Sequence, residues 1–596
     1  MKKYKKPLII ILALIIIPLV SELIIGKLKI NNEQSQNYLK QTQTIKAGAT
    51  YRLNLNNAYF YRLKIAYQSD NNVEAIININ QRSYQLQLLK SDNDKVWGLD
   101  KKVTQITIQA ADNLKIRAIS SLNHYQFNYY RYLLFEIITL IGSLYVAYRR
   151  YFKAHLERLF LLIAISFGCF FILVMPPVSG YTPDDQIHLS NTYSLLDYPL
   201  SQISEAEGIA TSASDYGIYS RDDHNELINY LNSSENQKTV AYKNISLLVS
   251  YNKLGYFPAA STMKVAKMLG CPYTIVYQIG KLTNLLIYTL IGFWAIKIAK
   301  YGKKLFFAVS LIPTSLFLAA SYSLDGMTFV GIMMMLVLWL NKQLSGDSVD
   351  FKWSCGFIAF GIIGCLSKPI FAPLMLLPLL FKSQQFESVG QSLRFKAAIV
   401  LVCLVMSASF IMPLFDNAAT PGDFRGGVVS IGGQIRYILS NPIAFITMFF
   451  PQALITIINN LVTDYHTYAD SFYLDATNMG IGLIYMLSLF AVMGFDDSLR
   501  DKLNKPTRIS VLILVLLIGF IINGTMYLSF SEIGAGHING VQNRYFLPLV
   551  PLMLIGLSGL VKIKDHHEYY LDVITVSSLL AIAAFMYTVV IQTCCL

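Results

Sequence analysis

The chain predicts a mainly α-helical protein that crosses a membrane many times, with a small all-β domain between its first two helices. Three observations predict this. Only 14% of the 596 residues are charged and 54% are hydrophobic, with a mean hydropathy of +0.44, whereas soluble domains carry about 25% charged residues. The apolar residues fall in runs close to the ~20 residues that a helix needs to cross the hydrocarbon core. One stretch, 45–120, departs from these runs and alternates apolar with polar residues.

The apolar runs lie near 7–25, 131–148, 157–175, 273–296, 305–322, 326–341, 353–367, 369–381, 396–414, 478–494, 509–527, 545–561 and 571–592, about thirteen spans by the length requirement. The first follows Met1-Lys2-Lys3-Tyr4-Lys5-Lys6 and lacks a small-residue cleavage site. Segment 1–26 therefore reads as an uncleaved signal anchor with its N-terminus inside. Later Lys and Arg clusters, such as Arg149-Arg150 with Lys153 and Arg500 with Lys502 and Lys505, sit in short turns between apolar runs. The net charge of +13 thus follows the positive-inside rule and does not point to nucleic acid. This orientation puts the polar loops 176–272, 415–477 and 528–544 outside, within a membrane domain spanning 127–596. The predicted location is a bacterial cytoplasmic membrane, with lipid as one partner. None of the seven cysteines lies in a ligand-like spacing, so neither a disulfide framework nor a structural zinc is expected.

Segment 27–126 reads as an extracytoplasmic β-sandwich. Tyr51-Leu53-Leu55, Tyr61-Leu63-Ile65-Tyr67, Ile77-Ile79, Tyr84-Leu86-Leu88 and Ile106-Ile108 are picked out at every second position, with Asn, Asp, Ser and Gly between runs. That is the pattern of short antiparallel strands. Its tyrosines and Trp97 either fill the core or offer faces to sugar rings; the inward register favours the core.

The densest chemistry is Pro183-Asp184-Asp185-Gln186-Ile187-His188, just past the apolar run that Pro176-Pro177 closes. Ionisable groups at the mouth of a span mark function, because placing them near lipid is costly. Asp184 and Asp185 suit a general base, a divalent cation such as magnesium or manganese, or a helix N-cap. His188 follows Asp184 by four residues, which on a helix puts both on one face.

Four other polar steps interrupt apolar runs. Asp325 follows Tyr322-Ser323-Leu324, Lys368 lies in Ser367-Lys368-Pro369, Arg425 lies in Gly422-Asp423-Phe424-Arg425-Gly426-Gly427, and Arg544 lies in Gly540-Val541-Gln542-Asn543-Arg544-Tyr545-Phe546. Lysine and arginine are natural phosphate partners, the first as a point charge and the second through a fork. The plainer readings are a snorkelling Lys368, an interfacial anchor at Arg544 beside Tyr545, and a helix cap at Asp325. Taken together, cations for a phosphate leaving group and an acid to activate a hydroxyl outline glycosyl transfer from a lipid-phosphate sugar.

Pro183-Asp184-Asp185-Gln186-Ile187-His188 resembles the Pro-Asp-Glu-x-x-His motif of a bacterial family of polytopic proteins, domain of unknown function 2142. Tyr322-Ser323-Leu324-Asp325 resembles its Ser-Tyr-Asp step, Ser367-Lys368-Pro369 its Lys-Pro step, and Gly540 to Phe546 its Gly-Val-Gln-Gly-Arg-Tyr-Phe signature. The order matches over roughly 155–565, while Asp185 stands for a Glu and Asn543 for a Gly. Such proteins resemble GT-C glycosyltransferases, which use polyprenyl-phosphate sugars and an acid in the first outer loop of the module. The resemblance implies an enzyme that adds sugar to a cell-envelope glycan. Asp184, Asp185 and His188 would be catalytic, Lys368, Arg544 and Arg425 would hold the donor phosphate, and Asp325, Gln542 and Tyr545 would support them. A flippase of lipid-linked saccharide and a sugar-binding assembly protein are the other expectations.

Overall fold

The computed structural model describes the chain except residues 1, 26–34, 81, 89, 91–92, 183, 197–201, 205, 209–220, 234–238, 242–250, 412–428, 470–478, 496, 559, 561–566 and 592–596. The N-terminal strands are β1 (Gln43–Ile45), β2 (Thr50–Gln68), β3 (Val73–Ile79), β4 (Arg82–Leu88), β5 (Asp94–Ala110) and β6 (Leu114–Leu122). They form one antiparallel sheet in the order β1-β6-β2-β5-β3-β4. The expected sandwich is therefore a single hydrogen-bonded sheet. Its long central pair, β2 and β5, carries register shifts between Asn54 and Ala58 and between Phe60 and Arg62, and such bulges bend a strand. β6 pairs with β2 only from Arg62 to Gln68, and β3 pairs with β5 only from Ile106 to Ala110. The inward positions of both halves close one core around Ile65, Ile77, Trp97, Ile106 and Ile108. Trp97 is wholly buried there, so it packs the domain and offers no open face.

A buried ion pair joins the two helices that flank this domain in the sequence. Arg131 Nε and Nη2 lie 2.5 and 2.7 Å from the Glu22 carboxylate. Glu22 belongs to the first helix, Lys2–Ile25, and Arg131 to the second, Tyr129–Ala147. Neither side chain reaches the surface. A bidentate pair of this kind matches the guanidinium fork to a carboxylate, and the Asn128 backbone N–H adds a third bond to Glu22 at 2.9 Å.

Among the described residues, eight helices are long and apolar enough to cross a membrane: Tyr129–Ala147, Leu156–Val174, Tyr273–Ile298, Asp325–Ser345, Val389–Ser409, Pro442–Thr463, Lys505–Phe530 and Tyr569–Val589. The polytopic expectation holds in this form. Some expected spans differ in kind. Run 305–322 is broken into Lys303–Ser310 and Pro313–Ala319, because Pro313 has no N–H to continue a helix. Run 369–381 is a 3₁₀ helix, Pro369–Leu380, with Pro373 and Pro378 inside it. At ~2.0 Å rise per residue, this short segment reaches further than an α-helix of equal length. Segment 415–477, expected as an outer loop, contains Pro442–Ile458, extended by a π turn to Thr463. Pro451, Gln452, Asn459 and Asn460 disguise that run in the sequence. It packs antiparallel to Lys505–Phe530, with Phe445 against Tyr527 and Ile457 against Gly519.

The helices Asp325–Ser345 and Phe351–Cys365 meet backbone to backbone. A Cβ on Gly331 would stand 2.7 Å from the Gly364 nitrogen, and one on Gly364 would stand 2.8 Å from the Ile332 nitrogen. Small residues allow this close approach between helices in a membrane. Gly331→Ala should therefore destabilise the protein by about 1–3 kcal/mol through overpacking. Gly356→Ala, whose Cβ would meet only Leu338 at 3.8 Å, should do no harm. Thermal unfolding of the two purified variants checks this, and equal melting temperatures would contradict the close crossing.

Candidate functional site

Breaks in four apolar segments bring charged side chains together. Asp184 precedes the helix Asp185–Leu196, and its φ of +54° is left-handed. Asp is among the few residues that tolerate this conformation. The Asp184 carbonyl accepts from the Ile187 and His188 N–H groups at 2.9 and 3.0 Å, which starts the helix. Its carboxylate is thereby turned away from the helix and accepts a bond from Arg544 Nη2. Arg544 lies in the 3₁₀ segment Asn543–Leu549. Its Nη1 is 3.4 Å from Asp325 Oδ2, and its Nε donates to Gln542 Oε1 at 2.7 Å.

Asp325 opens the helix Asp325–Ser345, where a negative charge suits the helix dipole. Gly326 lets this end approach Ala319, whose Cα would lie 2.7 Å from an added Cβ. The Asp325 carboxylate also pairs with Lys368. Lys368 stands between Phe351–Cys365 and the 3₁₀ run, and Pro369 keeps it out of α-helical backbone. The Tyr545 ring lies beneath both cations, 4.5 Å from Lys368 Nζ and 5.4 Å from Arg544 Cζ. Two carboxylates and two cations thus alternate in one connected cluster: Asp184, Arg544, Asp325, Lys368. Arg544 and Asp325 are almost wholly buried, while the Asp184 and Lys368 side chains keep 26% and 24% of their surface. The exposed ends are the ones a ligand would meet first.

Asp185 faces elsewhere. It is fully buried, 3.7 Å from Lys281 Nζ, and accepts from the Tyr322 N–H at 3.4 Å. Lys281, on Tyr273–Ile298, sits 4.6 Å over the Tyr277 ring. The adjacent acids therefore serve different cations. Among the described residues, no group of three or more His, Cys, Asp and Glu side chains is placed to hold a metal ion. Asp184 and Asp185 face different cations, so the two carboxylates do not fit a shared magnesium or manganese ion.

His188 does not pair with the Asp184 side chain as the helical spacing suggests. Its Nδ1 lies 2.5 Å from the Tyr256 hydroxyl. Burial pushes the imidazole down to about 4; Asp325 opposes this, while Arg544 adds to it. His188 is thus a neutral hydrogen-bonding prop beside the cluster. Arg425 lies outside the described residues. Lys281 and Tyr256 join the site without being among the expected residues. A lone lysine inside an apolar run is a signal of function in a membrane helix, whereas nothing in the sequence pattern speaks for Tyr256. An apolar cavity of 810 Å³ between Tyr129–Ala147, Met479–Phe495 and His567–Met586 contains none of the cluster's residues.

The fold and the cluster define a polytopic membrane protein with buried, mutually neutralised charges gathered at helix breaks. The chain belongs to the domain of unknown function 2142 family, described as predicted membrane proteins, whose model matches residues 165–553. Comparisons with curated proteins and with solved structures gave no match.

The depressed His188 value has a pH consequence. The unfolded chain takes up this proton near pH 6.5, but the folded chain does so only at about 4. Its contribution to stability is present above pH ~6.5 and is lost as pH falls toward 4. His188→Asn should therefore flatten part of the fall in melting temperature between those values. Parallel melting curves for wild type and variant would show that His188 titrates normally.

Proposed function

We propose that this protein is a membrane glycosyltransferase of GT-C type, moving a sugar from a polyprenyl-phosphate donor to a cell-envelope glycan on the outer face. The observation that carries the reading is the convergence of Lys368, Arg544, Asp325 and Asp184 at helix breaks. Lys368 and Arg544 are the donor-phosphate contacts, and Asp325 holds both in place. Without donor, Asp184 occupies Arg544. An arriving phosphate competes for that guanidinium, because it offers charge and several acceptor oxygens to the same fork. Its displacement frees the Asp184 carboxylate to take the proton of the acceptor hydroxyl as the new glycosidic bond forms. Donor binding and activation of the base are thereby one event. Asp185, locked by Lys281, fixes the loop from the next position.

The orientation follows the positive-inside rule: N-terminus inside, and the β domain and cluster outside. The thirteen-span arrangement adds the shorter apolar segments to the long helices. A cysteine at exposed position 46 (Lys46→Cys) should react with an impermeant reagent in intact cells; reaction only after permeabilisation would reverse the orientation.

One observation favours a flippase instead, namely the Lys281–Asp185 pair reaching into a span. Asp185 neutralises that lysine from the mouth of the span, which leaves no unmatched charge along a path. The test is transfer of labelled sugar from a polyprenyl-phosphate donor by the purified, reconstituted chain. Asp184→Asn should lower kcat about a hundredfold or more with the fold retained. Arg544→Lys should also impair transfer, because one point charge cannot replace the fork. Full transfer in both variants would remove these residues from the chemistry, and donor movement across the vesicle without transfer would give the flippase reading the lead.

A further inference from the structure

A second acid–histidine group stands on the turn Tyr465–Thr467, which is joined to the chain beside Arg544. Asp464 Oδ1 is 2.7 Å from His466 Nδ1 and also accepts the His466 backbone N–H at 2.9 Å. Its other oxygen, Oδ2, accepts from Asn543 Nδ2 at 3.3 Å. Asn543 is the neighbour of Arg544, so the dyad is fastened to the strip of chain that carries the phosphate-binding guanidinium. The turn is rigidly held. Thr467 Oγ1 donates to the Asn460 carbonyl at 2.6 Å, the Tyr468 hydroxyl donates to the Leu461 carbonyl at 2.5 Å, and Thr314 N–H donates to the Tyr468 carbonyl at 3.3 Å.

The plain account is a local one, in which Asp464 caps the short turn Tyr465–Thr467. Capping explains the bond to the His466 N–H. It does not require the imidazole to fold back onto the same carboxylate, or the second oxygen to reach Asn543. Together these fix the ring through Nδ1. Nε2 has no protein partner among the described residues, and the His466 side chain is 36% exposed. A carboxylate at Nδ1 sets the tautomer and stabilises the imidazolium, which is the arrangement of a histidine that gives or takes a proton at Nε2.

We propose that His466 is the general acid for the leaving phosphate, with Asp464 as its positioning residue. The inference rests on the glycosyl-transfer reading. The acceptor oxygen bonds to the anomeric carbon, and its proton goes to Asp184. The bond from that carbon to the phosphate oxygen breaks, and the electron pair stays on the phosphate. The Nε2 proton moves to the phosphate, and the polyprenyl phosphate departs as its monoanion. His466 recovers a proton from water. A phosphate monoester has its second pKa near 6, so imidazolium and leaving group are well matched for this transfer. Both groups adjoin Arg544, Asp184 through its own carboxylate and the His466 dyad through Asn543 at the preceding position.

Among the described residues, the elements packed against the His466 turn carry the following titratable groups. Asp464 and the Tyr465 ring, 4.0 Å away between centroids, belong to its own turn. Arg544 and Tyr545 lie on Asn543–Leu549, and Tyr485, bonded to the Ala308 carbonyl, lies on Met479–Phe495. Among the described residues, Asp464 is the carboxylate in contact with the ring.

The experiment is the pH dependence of kcat for sugar transfer by the full-length chain, with a polyprenyl-phosphate sugar as donor. Wild type should lose activity as pH rises through the imidazole range. His466→Gln should abolish that basic limb and lower kcat about a hundredfold, with donor KM little changed. Asp464→Asn keeps the cap and the histidine; it should lower kcat by a smaller factor than His466→Gln, again with donor KM little changed. A merely structural role would leave the basic limb in place in His466→Gln, and that result overturns the inference while transfer itself persists. Absence of transfer by wild type from every polyprenyl-phosphate donor is a different outcome, which sinks the functional reading and the general acid with it.

Discussion

The carboxylate of Asp325 between Lys368 and Arg544 is the interaction on which the architecture turns. Buried charges survive only when matched, and removing one member of a buried pair costs about 3–5 kcal/mol because the other is left stranded. Each member here comes from a different segment, so the segments must end at one point. The local rules serve that end. Pro369 halts a helix after Lys368, Gly326 admits the helix that begins at Asp325, and the Gly331–Gly364 contact sets the spacing of the two helices behind them. Glu22 and Arg131 repeat the principle between the two helices that flank the β domain in the sequence. There the matched charges join the first two helices and carry no exposed edge.

Much of the candidate site was legible because each contributing step breaks an apolar run with a charge. Asp184, Asp325, Lys368 and Arg544 are visible in the sequence for that reason, and the structure brings the four together. Their pairing was not legible. Spacing placed Asp184 and His188 on one helical face, but the left-handed backbone at Asp184 lies outside the helix and sends its carboxylate to Arg544, some 360 positions along the chain. Lys281 was hidden in a different way: one cation among many apolar residues barely alters a run's character, and its partner is remote in sequence.

The fold was legible in class and less so in detail. Long, uninterrupted apolar runs became helices at nearly the expected bounds, as in Leu156–Val174 and Tyr273–Ile298. Prolines caused the departures, splitting one run at Pro313, winding another into a 3₁₀ helix, and masking Pro442–Ile458. In the β segment, alternation gave the strands, but only the bulged, over-long β2 and β5 decide that one sheet bends where two were expected.

The left-handed residue at 184 also bears on how this loop can vary. Its backbone slot admits glycine and short side chains such as Asp or Asn, whose chemistry tolerates that twist, and resists longer or branched ones. Position 185 is ordinary helix, where Asp and Glu are both at ease in the first turn. The two neighbouring acids are therefore under unequal restraint. The family motif as it appears here, with Asp kept first and Asp standing for Glu second, falls on the permissive side of that division. Divergence in this loop has room to alter how deep the second carboxylate reaches toward Lys281, while the reach of the first is set by the main chain itself.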